Sequence, residues 1–335
     1  MLVTADWLNR SLTLLDYARV TSPACSVEQA ISGTIDLQAY PPGPLELALS
    51  ADGKRALVSV GQGSFALLGL SGGEPVAPGG TLVFVDLEGK KALFEIATPA
   101  LAEGVALTPD GKYGFSANYG TDAKPGDTVS KIDLASGKAV AQVKVGASPK
   151  QVAVSADGAI VMVSIAGDNG VRLFRADDSS ASLGALVKTG SDPSGVVLIG
   201  APAKSALVAN ATSLSYTVLD VNGTSAAVRA TQNLKRVPYG VALIPGSAKV
   251  IVSAFLGTAE LDVIDTAPSP PLAAAPIPLD SAAFPISVAT DSAGKFAFVA
   301  HARDHALSVV DLASGEVRTL HWLAHAGPTY VALGP

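Results

Sequence analysis

Cysteine is nearly absent. Cys25 stands alone, which excludes an internal disulfide and a thiolate metal cluster, and its Ser- and Pro-rich surroundings mark an ordinary loop thiol. Charge is sparse as well: Asp, Glu, Lys and Arg make up 16% of 335 residues, with a net charge of −6. Lys and Arg are scattered singly, so no basic stripe exists to neutralise phosphates and no nucleic acid is expected as a partner. The apolar runs are strand-length and broken by Gly, Pro or Asp, far short of the roughly 20 residues that cross a bilayer, so no membrane span is expected. No charged and apolar leader opens the sequence, leaving two compartments open: cytoplasm, or export with a signal removed ahead of residue 1. Phosphate-binding loops, dinucleotide fingerprints and a Gly-x-Ser-x-Gly elbow are missing, and no helix is predicted.

What the chain has in quantity is apolar and turn-forming: 48% hydrophobic residues, 33 Gly and 22 Pro. That composition suits many short buried strands joined by tight turns. One unit recurs: a Pro, two variable residues, a Val-Ala-Leu-type strand, a Gly turn, a Phe-Val-Ser-Ala-type strand and a Val-Ser-Val-Ile-Asp-type strand. Its clearest copies are Val105-Ala-Leu-Thr-Pro-Asp-Gly111, Val152-Ala-Val-Ser-Ala-Asp-Gly158 and Val288-Ala-Thr-Asp-Ser-Ala-Gly294. Ala48, Ala106, Ala153, Val197, Ala242, Ala289 and Ala332 are equivalent positions, which gives seven units. The last is a first strand without a hairpin partner. Met1-Leu-Val-Thr4 supplies the missing second strand and Ser11-Leu-Thr-Leu-Leu-Asp16 the third, so Val331 is expected beside Val3.

The expected fold is all-β: a seven-bladed propeller of four-stranded antiparallel blades over residues 1–335 as one domain. Its ring is closed by pairing the C-terminal inner strand with the N-terminal strands, which removes the exposed edges between first and last blade. Blade 1 takes 327–335 with 1–40. Blades 2 to 7 take 43–98, 101–147, 148–192, 193–236, 237–282 and 283–326. Asp-Gly at 52–53, 110–111 and 157–158 supplies the positive φ of tight hairpins. Asp16, Asp86, Asp133, Asp220, Asp265 and Asp311 recur after the third strand, where a carboxylate accepts backbone N–H groups of the next turn.

Met1-Leu-Val-Thr4, Phe115-Ser-Ala-Asn-Tyr119, Asp127-Thr-Val-Ser-Lys-Ile-Asp-Leu-Ala-Ser-Gly-Lys138 and Leu307-Ser-Val-Val-Asp-Leu-Ala-Ser-Gly315 resemble the YVTN-type, lactonase-like β-propeller repeat. The resemblance runs through essentially the whole chain. Units 4 and 5 depart from it, with Arg175 in place of Asp and Ala201-Pro-Ala-Lys204 in place of the Asp-Gly turn. Relatives with this repeat include lactone hydrolases, surface proteins and binding modules, so the resemblance implies a fold and leaves activity open. It also implies that Glu103, with Asn118 and Asn210, holds a divalent cation through oxygen ligands, as similar propeller hydrolases do.

Function is expected at the mouth of the central channel, on the face shared by the connections into the first strand and between second and third strands. All four histidines fall in the last unit. His301, His305 and His325 flank that face and are candidates for binding Zn or Cu or for acid–base catalysis, against the plainer alternative of hydrogen-bonded histidines. A three-residue loop between His301 and His305 makes them partners; a two-residue loop sends them to opposite faces. His321 lies too far along its strand to join His325. Leu45, Glu103, Lys150, Ser194, Tyr239, Ile286 and Thr329 form a ring of equivalent positions after the Pro, with Glu103 and Lys150 free to pair. Asp6, Trp7 and Arg10 gather near Tyr330, and Tyr119 and Arg303 belong to the same face. The connections 61–80 and 118–127 are extended, and the Gly-rich 61–80 is a candidate lid with a floppy insertion as the alternative, whereas 17–30 lies on the opposite face as a peripheral insertion.

These observations single out His301, His305 and Glu103 as catalytic candidates. Asp6, Trp7, Arg10, Tyr119, Lys150, Tyr239, Arg303 and Tyr330 are substrate-binding candidates. His301, His305, His325, Glu103, Asn118 and Asn210 are candidate ligands for Ca, Mg or Zn. Three readings remain: a small-molecule site, with metal-assisted lactone hydrolysis or a lyase reaction as its candidate chemistry; a noncatalytic scaffold for a protein or glycan partner; and a histidine-coordinated copper or redox protein.

Overall fold

In the computed structural model, residues 1–61, 79–178, 181–256, 259–279, 284–322 and 328–334 are described. They form seven sheets arranged as blades of a propeller. The inner strands, in ring order, are Pro328–Leu333, Pro44–Leu49, Ala102–Leu107, Pro149–Val154, Pro193–Ile199, Val237–Leu243 and Pro285–Thr290. Six sheets have four strands; in blade 6 two short segments, Leu272–Ala273 and Ile277–Pro278, share the outer position.

Blade 1 combines both ends of the chain. Pro328–Leu333 pairs antiparallel with Leu2–Asp6, which continues to Ser11–Leu15 and Ile31–Asp36. The register differs by one residue from expectation: Val331 faces Thr4, and Val3 faces Ala332. Val331 therefore turns into the seam with blade 7, while Val3 turns toward blade 2.

Strand alternation explains how the ring coheres. Successive side chains point to opposite faces of a sheet, so each blade supplies apolar groups to both neighbours. Val161 and Val163 pack toward blade 3 with Val143 and Phe115, whereas Met162 packs toward blade 5 with Ala206 and Val208. Each of the seven seams has its own apolar cluster of this kind. At the seam of blades 3 and 4, Phe115 and Phe174 meet edge to face at 5.9 Å, a geometry worth about 1 kcal/mol beyond area burial.

The hairpin glycines take the expected conformation, with φ of 67° at Gly53, 69° at Gly111 and 74° at Gly158. Asp16, Asp86, Asp133, Asp265 and Asp311 accept backbone N–H groups from the turn that follows. Asp220 departs from the pattern and pairs with Arg229.

Two expectations are corrected. The segment 17–30 contains two single-turn helices, Tyr17–Val20 and Val27–Ala30, and is not peripheral. Asp16 caps the first, and Ser26 with Gln29 forms a capping box on the second, a spacing visible in the sequence. Val20, Val27 and Ala30 are buried against Phe298, Val309 and Leu320 of blade 7. The Tyr17 hydroxyl donates to Asp291 Oδ2 at 2.6 Å, and Arg318 donates to the carbonyls of Cys25 and Val20. The second correction concerns 118–127. It is largely ladder: Tyr113–Thr121 and Lys124–Asp133 pair as one long hairpin out to Thr121 and Lys124. Most of the other long connection, 62–78, lies outside the described residues.

Candidate functional site at the channel mouth

Every inner strand carries the same irregularity. One extra residue interrupts its ladder with the second strand just after the Pro or its equivalent, a β-bulge in all seven blades. A bulge strands backbone groups that the ladder would have paired, and hydroxyls take over. Ser59 Oγ accepts from Glu46 N and donates to Glu103 O of the next blade at 2.7 Å. Ser164 does the same between Gln151 N and Ser194 O. Ser194 donates to Pro238 O, and Thr329 donates to Pro44 O and Leu45 O. These bonds cross from blade to blade and hold the inner strands at close approach around the axis.

The bulges also change which side chains reach the channel. A cavity of about 200 Å³ is lined by Glu46, Glu103, Lys150, Gln151, Tyr239 and Tyr330 among others. Glu103, Lys150 and Tyr239 come from the ring expected from sequence. Glu46, Gln151 and Tyr330 lie one residue further along, where simple alternation would aim them away. Glu46 and Gln151 are therefore site residues that sequence reasoning missed. Their ring, Glu46, Gly104, Gln151, Gly195, Gly240, Ser287 and Tyr330, carries three glycines. That run of absent side chains, at equivalent positions, was the available signal of a crowded axis.

Two hydrogen bonds bridge the mouth. The Tyr239 hydroxyl of blade 6 donates to Glu103 Oε1 of blade 3 at 3.0 Å. Gln151 Nε2 of blade 4 donates to Glu46 Oε2 of blade 2 at 2.9 Å. Lys150 Nζ forms an ion pair with Asp192 at 3.1 Å and lies 5.3 Å from the centre of the Tyr239 ring. Both carboxyls are buried, Glu46 at 2% exposure and Glu103 at 0%. Burial, and after it the negative charge of Glu103, pushes the Glu46 carboxyl up to about 8; the Gln151 hydrogen bond and Lys150 oppose this. Glu46 is thus a carboxylic acid at neutral pH, beside a second carboxyl whose charge it feels. The Tyr330 hydroxyl is raised by burial and by Glu46, and that of Tyr119 by burial and by Glu103.

The remaining candidates sit elsewhere. Asp6, Asn118, Asn210 and His301 occupy equivalent positions at the ends of second strands, and all four are fully buried. Each turns into its own blade. Asp6 accepts from Thr4 and Thr13; Asn118 donates to Thr128 and Ser130; Asn210 donates to Ser215 and Thr217. His301 Nε2 meets Ser308 Oγ at 2.8 Å, and Ser308 meets Thr319. These polar spines run from second to third strand inside the apolar seams. Burial raises Asp6 to about 7, so that it holds its proton about half the time near neutral pH, and lowers His301 to about 4, so that its imidazole is neutral there. The Ser308–His301 pair has no solvent-reachable face and lines no part of the channel.

The histidine trio is not assembled among the described residues. His301 pairs with Ala306 in the ladder, so the loop has four residues, and neither loop length expected from sequence applies. His305, inside that loop at φ 51°, is not the cross-strand partner of His301. His325 lies outside the described residues. Glu103 lines the channel, but Asn118 and Asn210 do not, so that oxygen set does not converge either. Among the described residues no group of three His, Cys, Asp or Glu side chains is placed to hold a metal ion.

Trp7 and Arg10 are tied to the seam with blade 2, through Trp7 Nε1 to Gly61 O and Arg10 Nε to Pro42 O. The Tyr119 hydroxyl donates to Asp122. Arg303 lies over the Phe284 ring at 5.2 Å, beside an apolar patch of Leu45, Ile286 and Ala302.

No protein-family model matches the chain, and no curated protein sequence does. Solved structures share its fold. The periplasmic gluconolactonase of Pseudomonas aeruginosa superposes with a TM-score of 0.74 at 18% identity, over 99% of this chain and 98% of that one. A putative 6-phosphogluconolactonase from Bacteroides uniformis gives 0.75 at 14%, over 99% and 98%. Hydrazine synthase of Kuenenia stuttgartiensis gives 0.67 at 16%, over 94% and 90%. At such identities the likeness extends to the fold alone.

Proposed function

We propose that the channel mouth binds a small uncharged cyclic ester and hydrolyses it, with Glu103 as general base and Glu46 as general acid. The observation that carries this reading is the pairing of an un-ionised buried carboxyl with a second carboxyl in one cavity beside a lysine. A carboxyl that keeps its proton can deliver it, and a second carboxyl in the same cavity, when ionised, can remove one from water, which are the two roles that lactone hydrolysis requires.

In the proposed reaction the Glu103 carboxylate takes a proton from water as the water oxygen bonds to the lactone carbonyl carbon. The acyl–oxygen bond then breaks, and the Glu46 carboxyl gives its proton to the departing ring oxygen. The product is a hydroxy acid, and proton return from Glu103 to Glu46 through solvent resets the pair. Lys150, which lines the same cavity, is the cation assigned to stabilise the oxyanion in this reading. Charge favours an uncharged substrate over a phosphorylated one. Lys150 is already ion-paired with Asp192 and shares the cavity with Glu46 and Glu103, and the residues outside the described set contain no Lys or Arg. The lactonase-named structural neighbours are in keeping with this reading.

The test is hydrolysis of glucono-δ-lactone and its 6-phosphate above the spontaneous rate. The neutral lactone is expected to turn over faster, and Glu103→Gln and Glu46→Gln are each expected to lose about 10²- to 10⁴-fold in kcat/KM. A wild-type protein that accelerates neither lactone, or a Glu103→Gln variant with full activity, overturns the assignment.

A further inference from the structure

Gln151 belongs to blade 4, yet its amide reaches Glu46 of blade 2 across the intervening blade 3. The crossing is possible because the residue between them is Gly104. A Cβ on Gly104 would stand 2.2 Å from Gln151 Oε1, so any side chain there would occupy the place of the amide. The amide's orientation is also fixed. Gln151 Oε1 accepts the backbone N–H of Val152 at 3.1 Å, and a backbone N–H can only donate. Nε2 must therefore be the end that faces Glu46, and it too can only donate; it reaches Oε2 at 2.9 Å. An oxygen that accepts from an amide N–H is the carbonyl oxygen of a carboxylic acid, which leaves the proton to the other oxygen.

We infer that Gln151 is a positioning residue that fixes Glu46 Oε1 as the proton-bearing oxygen; Gly104, where a Cβ would also meet Gln151 Cα at 2.7 Å and the Lys150 carbonyl oxygen at 2.8 Å, leaves room for both the neighbouring backbone and the amide. A carboxylic acid free to exchange its two oxygens presents its proton in either direction. One locked by a donor presents it in a single direction, which is what directed proton delivery needs. The inference concerns where the proton of Glu46 resides and holds whether or not that proton is delivered to a lactone.

The test uses the full chain and an infrared readout, so it does not depend on turnover. The C=O band of the protonated Glu46 carboxyl is assigned by its absence in Glu46→Gln. In Gln151→Met, which removes the donor, that band is expected to move to higher frequency, and the carboxyl is expected to titrate about one pH unit higher. Gln151→Glu preserves shape and is expected to retain a proton on the pair to still higher pH, since two adjacent carboxyls share one. A band and titration midpoint unchanged in either folded variant overturn the inference. Failure of the lactone assay with these shifts intact refutes only the hydrolytic reading.

Discussion

Replacing Glu46 by Gln tests the electrostatics of the channel without reference to any substrate. The carboxyl titrates near 8 in the folded protein against an ordinary 4.5. The folded state thus binds this proton more tightly than the unfolded chain does. The associated stability is fully present below 4.5 and drains away as pH rises through 8, at about 1.4 kcal/mol per pH unit. Across the window the total is about 5 kcal/mol. Gln cannot ionise, and its side-chain oxygen can still accept from Gln151 Nε2. Glu46→Gln should therefore match the wild type near pH 5 and exceed it in stability by several kcal/mol near pH 9. Asp6, raised to about 7 by burial, is present in both proteins and cancels from the difference. Paired thermal or urea denaturation across that pH range reads the effect. Parallel pH curves for the two proteins would refute the claim that Glu46 is a buried, proton-holding acid.

Three further outcomes are expected. His301 titrates near 4, below its ordinary 6.5, so its contribution is present above 6.5 and lost as pH falls toward 4, about 3 kcal/mol in all; His301→Gln should flatten the acid limb of the stability profile. Val331→Asp places a charge in the seam between blades 1 and 7, where Val331 is 1% exposed, and should cost several kcal/mol, visible as a lowered Tm and new protease sensitivity. Tyr17→Phe removes the hydroxyl that donates to Asp291 and should lower stability by about 1 kcal/mol, with no change in ligand binding at the channel mouth on titration.

The propeller was legible in the sequence because its signals are local and repeated: a Pro, a Gly turn and an Asp after the third strand recur in most of the seven units, and the units that lack one keep the others. The site was half legible, for a reason that lies in backbone geometry. Glu103, Lys150 and Tyr239 follow from counting along the repeat. Glu46 and Gln151 do not, because the inner-strand bulge adds a residue and resets which side chains face the axis, and strand alternation alone cannot show that. The histidines misled for a related reason. His301 occupies the same position as Asp6, Asn118 and Asn210, a place the fold uses for interior hydrogen bonding. Their clustering in one unit reflects that unit's choice of polar residue, and the four-residue turn after His301 separates it from His305. The insertion 17–30 was read by the face it leaves from, while its apolar residues were the better guide to where it lands.

That insertion adds fastenings to the joint between the two chain ends. No peptide connection joins blade 1's inner strand to its neighbour at that point, yet backbone pairing, an apolar cluster and three cross-blade side-chain bonds meet there. Amide exchange should accordingly be slow across it and faster in blade 4, whose outer strand has only two residues, Val187–Lys188. When this ring breathes, it loosens first at its rim and not where its ends are tied.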